Sequence, residues 1–455
     1  MGIVAGNFGA IFSNGAGEYP SGAPDLLESM TECFFALSGP TLISPLNHAT
    51  GVDSPITFEW DTGDALVPPG INWEIQASAA DNSWYSVTYG TPGGVGIFVA
   101  VSQSGTGNRV MTSPDGITWT SQTSAADNGW RDVTYGTPGG VGIFVAVAQT
   151  GTGNRVMTSP DGINWTIQTS AANNRWYAVT YGNGLFVAVA VSGTGNRVMT
   201  SPDGINWTIQ TSAANNTWES VTYGNGLFVA VSSSGSGNRV MTSTNGINWS
   251  SRNTPNNVWS DVTYGNGLFV AVGTTGTGNR VMTSPDGINW TSQTSPADNG
   301  WQSVTYGNGL FVATAYSGTG NRVMTSLNGI DWDIRTSAVN NGWIGVTYGD
   351  GLFVAVAETG TGNRVMTSSY SQPTSHIQIS KNSDFSTIDY EQTGITTESL
   401  TLALINYDTT YYWRVRTFEG GLTSPWSEIW DFTTNSQYGT SINTDMPIIY
   451  FRGRK

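Results

Sequence analysis

A seven-fold internal repeat constrains this chain more than any other feature. The motif WxxVTYG begins at Trp84, Trp130, Trp176, Trp218, Trp259, Trp301 and Trp343, with spacings of 46, 46, 42, 41, 42 and 42 residues. Such a period marks one supersecondary unit that buries its apolar face only against its neighbours, so the copies have to be read together. The first two units are longer because YGTPGGVGIF (Tyr89–Phe98 and Tyr135–Phe144) replaces YGNGLF, an insertion of four residues. GNRVMTS keeps step, recurring seven times between Gly107 and Ser368.

Each unit carries four runs of β-type residues separated by turn signals. In the third they are WYAVTYG, LFVAVAV, NRVMTS and INWTIQTS, termed strands a, b, c and d. Asn183-Gly184 predicts a two-residue hairpin between a and b, because both turn positions need positive φ. Asp161-Gly162 and its equivalents predict the same between c and d. Four strands in a period of this length fit one blade of a β-propeller. A lone d-like segment, GINWEIQAS (Gly70–Ser78), precedes the first complete unit, and the last unit stops after its c strand at Ser368. The fold expected is all-β: a seven-bladed β-propeller over 67–370, its last blade closed by strand d from the N-terminal side and a, b and c from the C-terminal side. Closure of this kind removes exposed sheet edges.

Outside the repeats, Tyr411, Trp413 and Val415 alternate on one strand of a segment running from His376 to Thr434. This segment resembles the later strands of a fibronectin type III domain, with Tyr411 near the position of a corner tyrosine. PTLISPLNHATGVDSPITFEWD (Pro40–Asp61) resembles the two opening strands of the same domain type. The resemblance implies one sandwich split into 40–61 and 376–434, with the propeller inserted between its second and third strands. Flanking it are a leader or anchor, 1–39, and a tail, 435–455, both Gly/Ser-containing.

Composition excludes several classes. The net charge of −15, with 17 basic against 32 acidic residues, disfavours nucleic acid as a partner. Cys33 is the single cysteine, so neither an intramolecular disulfide nor a cysteine metal cage is expected. His48 and His376 lack ligand spacing; no metal and no cofactor is expected. The N-terminus has no positive n-region, Gly2 opens no myristoylation motif, and no run approaches the roughly 18 apolar residues of a membrane span. A soluble chain made without a Sec-type address is expected.

The repeated box SPDGINWT is similar to the Asp-box of sialidase-like (BNR) propellers, one residue shorter. In that family the box lies in the c–d turn, away from catalysis. Asn245 and Asn328 replace Asp in two copies, which a turn tolerates and a catalytic carboxylate does not. A glycosidase needs two carboxylates placed across a sugar. Glu219 and Glu358 are unique acids without an identifiable partner, so no catalytic residue is assigned and no enzyme is expected. NWT or NWS triplets at Asn164, Asn206, Asn248 and Asn289 are formal glycosylation acceptors, read as structural.

Because strands alternate in direction, the a–b and c–d turns share one end of each blade, and the longer, more varied b–c and d–a loops share the other. Binding is expected at the latter end. The candidate ligand residues are the tryptophans that open strand a, Trp84, Trp130, Trp176, Trp218, Trp259, Trp301 and Trp343. With them go the arginines of GNRVMTS: Arg109, Arg155, Arg197, Arg239, Arg280, Arg322 and Arg364. Ring faces and guanidinium groups at inter-blade grooves would hold sugars by stacking and hydrogen bonds. The competing reading is that Trp fills space between blades and Arg caps a loop.

The whole resembles a phage virion surface component, a tail fibre or decoration protein. The resemblance implies multivalent, non-enzymatic attachment to glycans or a host surface, with the termini docked to other virion structural proteins and self-association left open. The alternatives are a purely structural virion component and an exported bacterial glycan-binding adhesin, placed outside the cell or on its surface.

Overall fold

The computed structural model describes residues 40–62, 68–370, 374–403, 406–419 and 422–435. The expected leader, with Cys33, and the tail beyond Asn435 lie outside them. The chain forms two compact units: Leu66–Gln372, and a second drawn from both flanks, Met1–Ala65 with Pro373–Lys455.

The larger unit is a β-propeller built from seven four-stranded antiparallel sheets. In the third repeat the strands are Trp176–Gly182, Leu185–Ala190, Val198–Ser201 and Thr208–Gln210, paired in chain order. One sheet departs from chain order: Trp343–Gly349, Leu352–Ala357 and Val365–Ser368 are completed by Glu74–Gln76, with Val365 opposite Gln76 and Thr367 opposite Glu74. Each a strand packs against the a strand of the next sheet, and Trp343–Gly349 packs against Trp84–Gly90.

Burial explains the strand patterns. The b strand FVAV is buried along its whole length, reading as a continuous apolar run because sheets cover both its faces. Between sheets, Val145, Val147 and Val156 of one repeat meet Trp176, Val179, Phe186 and Ala188 of the next. Close approach needs small residues: a Cβ on Gly182 would run into the Tyr223 ring of the following sheet. The a–b hairpins are as the sequence predicts, with Asn183 at φ 50° and Gly184 at φ 74°.

The c–d connection is not the two-residue hairpin predicted from Asp161-Gly162. It spans Pro160 to Trp165, and only Gly162 has positive φ (78°). The Asp161 carboxylate organises it, accepting the N–H groups of Ile163 and Asn164 at 2.8 Å each, while Ser159 Oγ donates to it at 2.9 Å. An Asx-type turn therefore supplies what a mirror-image hairpin would have done.

The smaller unit has two sheets. Thr41–Ser44, Ile56–Asp61 and Ser399–Leu402 form one; Ala49–Val52, Trp430–Thr434, Thr410–Glu419, Thr374–Ser380 and Tyr390–Ile395 form the other in that order, with Leu422–Thr423 on Thr410–Glu419. Their shared core joins Phe58 and Trp60 to Ile377, Ile379, Trp413 and Val415. The leading segment supplies three strands, not the two expected, because Ala49–Val52 leaves the first sheet to run parallel to Trp430–Thr434 in the second.

Candidate functional site

The seven tryptophans proposed to hold sugar are all fully buried, at 0% exposure. Each indole N–H donates to a carbonyl four residues earlier, as Trp176 does to Ala172 at 3.1 Å. Their rings fill the seams between sheets and have no free face to offer a ligand. The seven arginines are similarly engaged. Arg197 Nε donates to Gly193 O at 2.8 Å, and its Nη1 donates to Val191 O and Asn216 O, tying the b–c loop to the following d–a loop. Arg109, Arg155, Arg239, Arg280, Arg322 and Arg364 repeat this geometry. Both sets are scaffold, because a buried polar atom needs a partner and the nearest are loop carbonyls.

The site lies elsewhere. Strand a reads W-x-x-V-T-Y-G in every copy, and only the two residues after Trp vary. The first of these is Tyr85, Arg131, Tyr177, Glu219, Ser260, Gln302 or Ile344; the second is Ser86, Asp132, Ala178, Ser220, Asp261, Ser303 or Gly345. Both positions from all seven repeats surround one central chamber of about 170 Å³. Above it a vestibule of about 320 Å³ adds Glu358 and the 44% exposed Tyr316, both from b–c loops. The site therefore occupies the end of the sheets that carries the b–c and d–a loops. It brings together Glu219 and Glu358, the two unique acids that the sequence leaves apart.

The lower ring is closed on itself. Asp132 accepts from Ser86 Oγ at 2.6 Å in the preceding sheet, from its own neighbour Val133 N–H at 2.9 Å, and from Val179 N–H at 2.7 Å in the next. Asp261 does the same for its own trio, through Ser220 Oγ, Val262 N–H, Ser303 Oγ and Val304 N–H. Each carboxylate thus binds three successive sheets around the axis. Burial pushes Asp132 up to about 7 against the opposing pull of its Ser86 and Val179 hydrogen bonds, and the charge of Asp261 adds to the rise. Burial raises Asp261 as well, again opposed by its hydrogen bonds.

The upper ring is asymmetric. The Arg131 guanidinium is sandwiched between two aromatic faces, 4.3 Å from the Tyr85 ring centre and 3.9 Å from that of Tyr177. Tyr85 Oη donates to Glu358 Oε2 at 2.9 Å; burial, opposed by Arg131 and reinforced by Glu358, pushes this phenol up to about 12. Arg175 Nη2 donates to Tyr177 Oη at 3.0 Å and to Gln149 Oε1 at 2.8 Å. Glu219 accepts from Ser233 Oγ at 2.7 Å, and burial raises its carboxyl although Ser233, Arg131 and Arg175 oppose the rise. Among the described residues no group of three or more His, Cys, Asp or Glu is placed to hold a metal ion.

No family model matches the chain, and no curated protein matches its sequence. Solved structures similar to it include the crystal structure of BBS1N in complex with ARL6DN, at 10% identity and TM-score 0.47 over 67% of this chain and 98% of that one. Another is a nidogen/laminin complex, at 10% identity and TM-score 0.30 over 48% of this chain and 87% of that one. A third is an α-L-arabinofuranosidase from Clostridium thermocellum, at 15% identity and TM-score 0.28 over 49% and 93%. The propeller assignment rests on the sheets themselves, and these likenesses identify no ligand.

Proposed function

We propose that this chain is a non-enzymatic binding protein whose seven sheets are the blades of a closed propeller, displayed on a split fibronectin-like sandwich at the surface of a phage particle, where it attaches to glycans. One observation carries the binding reading. Within an otherwise repeated blade, the residues that differ from copy to copy are those that converge on the central chamber and its vestibule. Repetition suits scaffolding, which is the same problem solved seven times; a ligand without seven-fold symmetry calls for different groups around it.

The acids argue against catalysis. Both oxygens of Asp132 and of Asp261 accept hydrogen bonds from backbone N–H groups and serine hydroxyls, which leaves neither carboxyl free to exchange a proton with a bound glycoside. The site is central and single in each chain, so attachment in many copies comes from many chains on a particle and not from seven grooves in one. The particle placement draws its support from composition: one cysteine, 11% charged residues and a display-type domain pair.

A glycan array probed with the full chain clustered on beads tests the binding reading. Binding to at least one glycan, abolished by Tyr316→Ala together with Gln302→Ala, is the expected result; no binding to any glycan, neutral or charged, overturns it. Mass spectrometry of purified phage particles tests the location, and absence of the chain from them refutes it.

A further inference from the structure

The vestibule contains a cation without a counter-ion. No hydrogen bond or ion pair joins Arg131 to the described residues, and its Nε is buried with no partner. A guanidinium has five N–H donors, and a buried polar group left unpaired is costly. The two tyrosine faces hold its plane but accept none of those donors. The hydroxyls of both tyrosines are themselves engaged, Tyr85 with Glu358 and Tyr177 with Arg175. The nearby Glu219 is bonded to Ser233, outside ion-pair distance of Arg131. Every other charged group that faces the vestibule is thus partnered, while Arg131 is presented and left open.

Across the ring, Ser260 and Gln302 line the same chamber and also lack side-chain partners among the described residues. The free groups therefore comprise one fork of donors that matches a carboxylate, and a hydroxyl with an amide that match sugar hydroxyls. Ile344, buried at 8% exposure, is the apolar member of the ring beside Gln302.

We infer that the central pocket binds an acidic monosaccharide unit, its carboxylate paired with Arg131 and its hydroxyls with Ser260 and Gln302. This rests on the binding reading above and gives it a ligand class. Pre-stacking between the tyrosines fixes the guanidinium before binding, so little conformational freedom is lost when the carboxylate docks. The two glutamates that share the vestibule set the selectivity. They disfavour ligands with more than one negative charge, such as a phosphate dianion, more than a single carboxylate.

The test is calorimetric titration of the full chain with D-glucuronate, D-glucose and inorganic phosphate, repeated with Arg131→Gln and Ser260→Ala. Glucuronate is expected to bind saturably at one site per chain, with glucose and phosphate each weaker by at least about tenfold. Arg131→Gln is expected to weaken glucuronate by about ten- to a hundredfold and to leave glucose unchanged. Circular dichroism and a urea melt confirm that the variant is folded. Glucose or phosphate binding as tightly as glucuronate, or full glucuronate affinity in Arg131→Gln, overturns the inference while leaving a glycan-binding propeller intact. Array binding confined to neutral glycans does the same. Silence of the whole array, by contrast, removes the parent reading.

Discussion

The two ends of each blade solve opposite problems. At the c–d end the box Ser-x-Asp-Gly-x-x-Trp is nearly the same in every copy and satisfies itself: Asp161 accepts from Ile163 and Asn164, and Trp165 Nε1 donates to Gly162 O at 2.8 Å. At the other end, beside the axis, the two positions after the blade tryptophan differ from copy to copy and leave Arg131, Ser260 and Gln302 unpartnered. The lesson is that in a repeat protein sameness marks self-contained structure, and departure from the repeat marks the surface that meets something else.

The largest effect should come from neither end but from the seam that supports both. Trp176→Ala removes a fully buried ring between two sheets and is expected to cost about 3–5 kcal/mol in a urea melt. Next comes the lower ring: Asp132→Ala leaves the Val133 and Val179 N–H groups without their acceptor, at about 1–3 kcal/mol. A cost below about 0.5 kcal/mol there would mean that the carboxylate does not tie the sheets together. Asp161→Ala, in the box, should cost about 1 kcal/mol by the same melt, since it removes the acceptor for two N–H groups of an exposed turn. Asp161→Asn should cost under about 0.5 kcal/mol, because Asn245 makes the same turn, accepting from Ile247 and Asn248. Arg131→Gln should be near neutral for stability, which separates its role from that of Arg197.

The two ends also titrate in opposite directions. Burial would raise Asp161, but hydrogen bonds from Asn164, Ile163 and Ser159 outweigh it and hold the carboxyl at about 2, below its unfolded value near 3.8. Its contribution is present above pH 4 and lost as pH falls toward 2. Asp132 lies on the other side, at about 7 in the folded protein against the same unfolded value. Its protonated form favours the fold, so that contribution is full below pH 4 and lost as pH rises to about 7. Thermal melts should therefore show stability falling from pH 5 to 7.5. Asp132→Asn should flatten that slope without touching the loss below pH 4. An unchanged slope in the variant would remove Asp132 as its source.

Much of the architecture was legible before any coordinates. The four-strand unit follows from β-type runs bounded by Asn-Gly turns, whose positive φ is a local property. The pairing of Val365 with Gln76 follows from counting seven d segments against seven a-b-c sets. The candidate site was not read. Trp and Arg attract functional readings because they bind sugars and anions on surfaces, yet here tertiary packing places the rings in seams and the guanidinium groups under loop carbonyls. The usable signal was the variation after each blade Trp, in columns otherwise alike.

What the sequence determined by itself was whatever depends on neighbours along the chain: the period, the strand runs, the turn residues and the self-contained box. What only the tertiary structure decided was which side chains meet at the axis. Tyr85, Arg131 and Tyr177 are separated by 46 residues each and come together only because successive a strands pack side by side. That convergence is set by how the sheets are packed around one centre, a long-range condition that no local run of residues encodes.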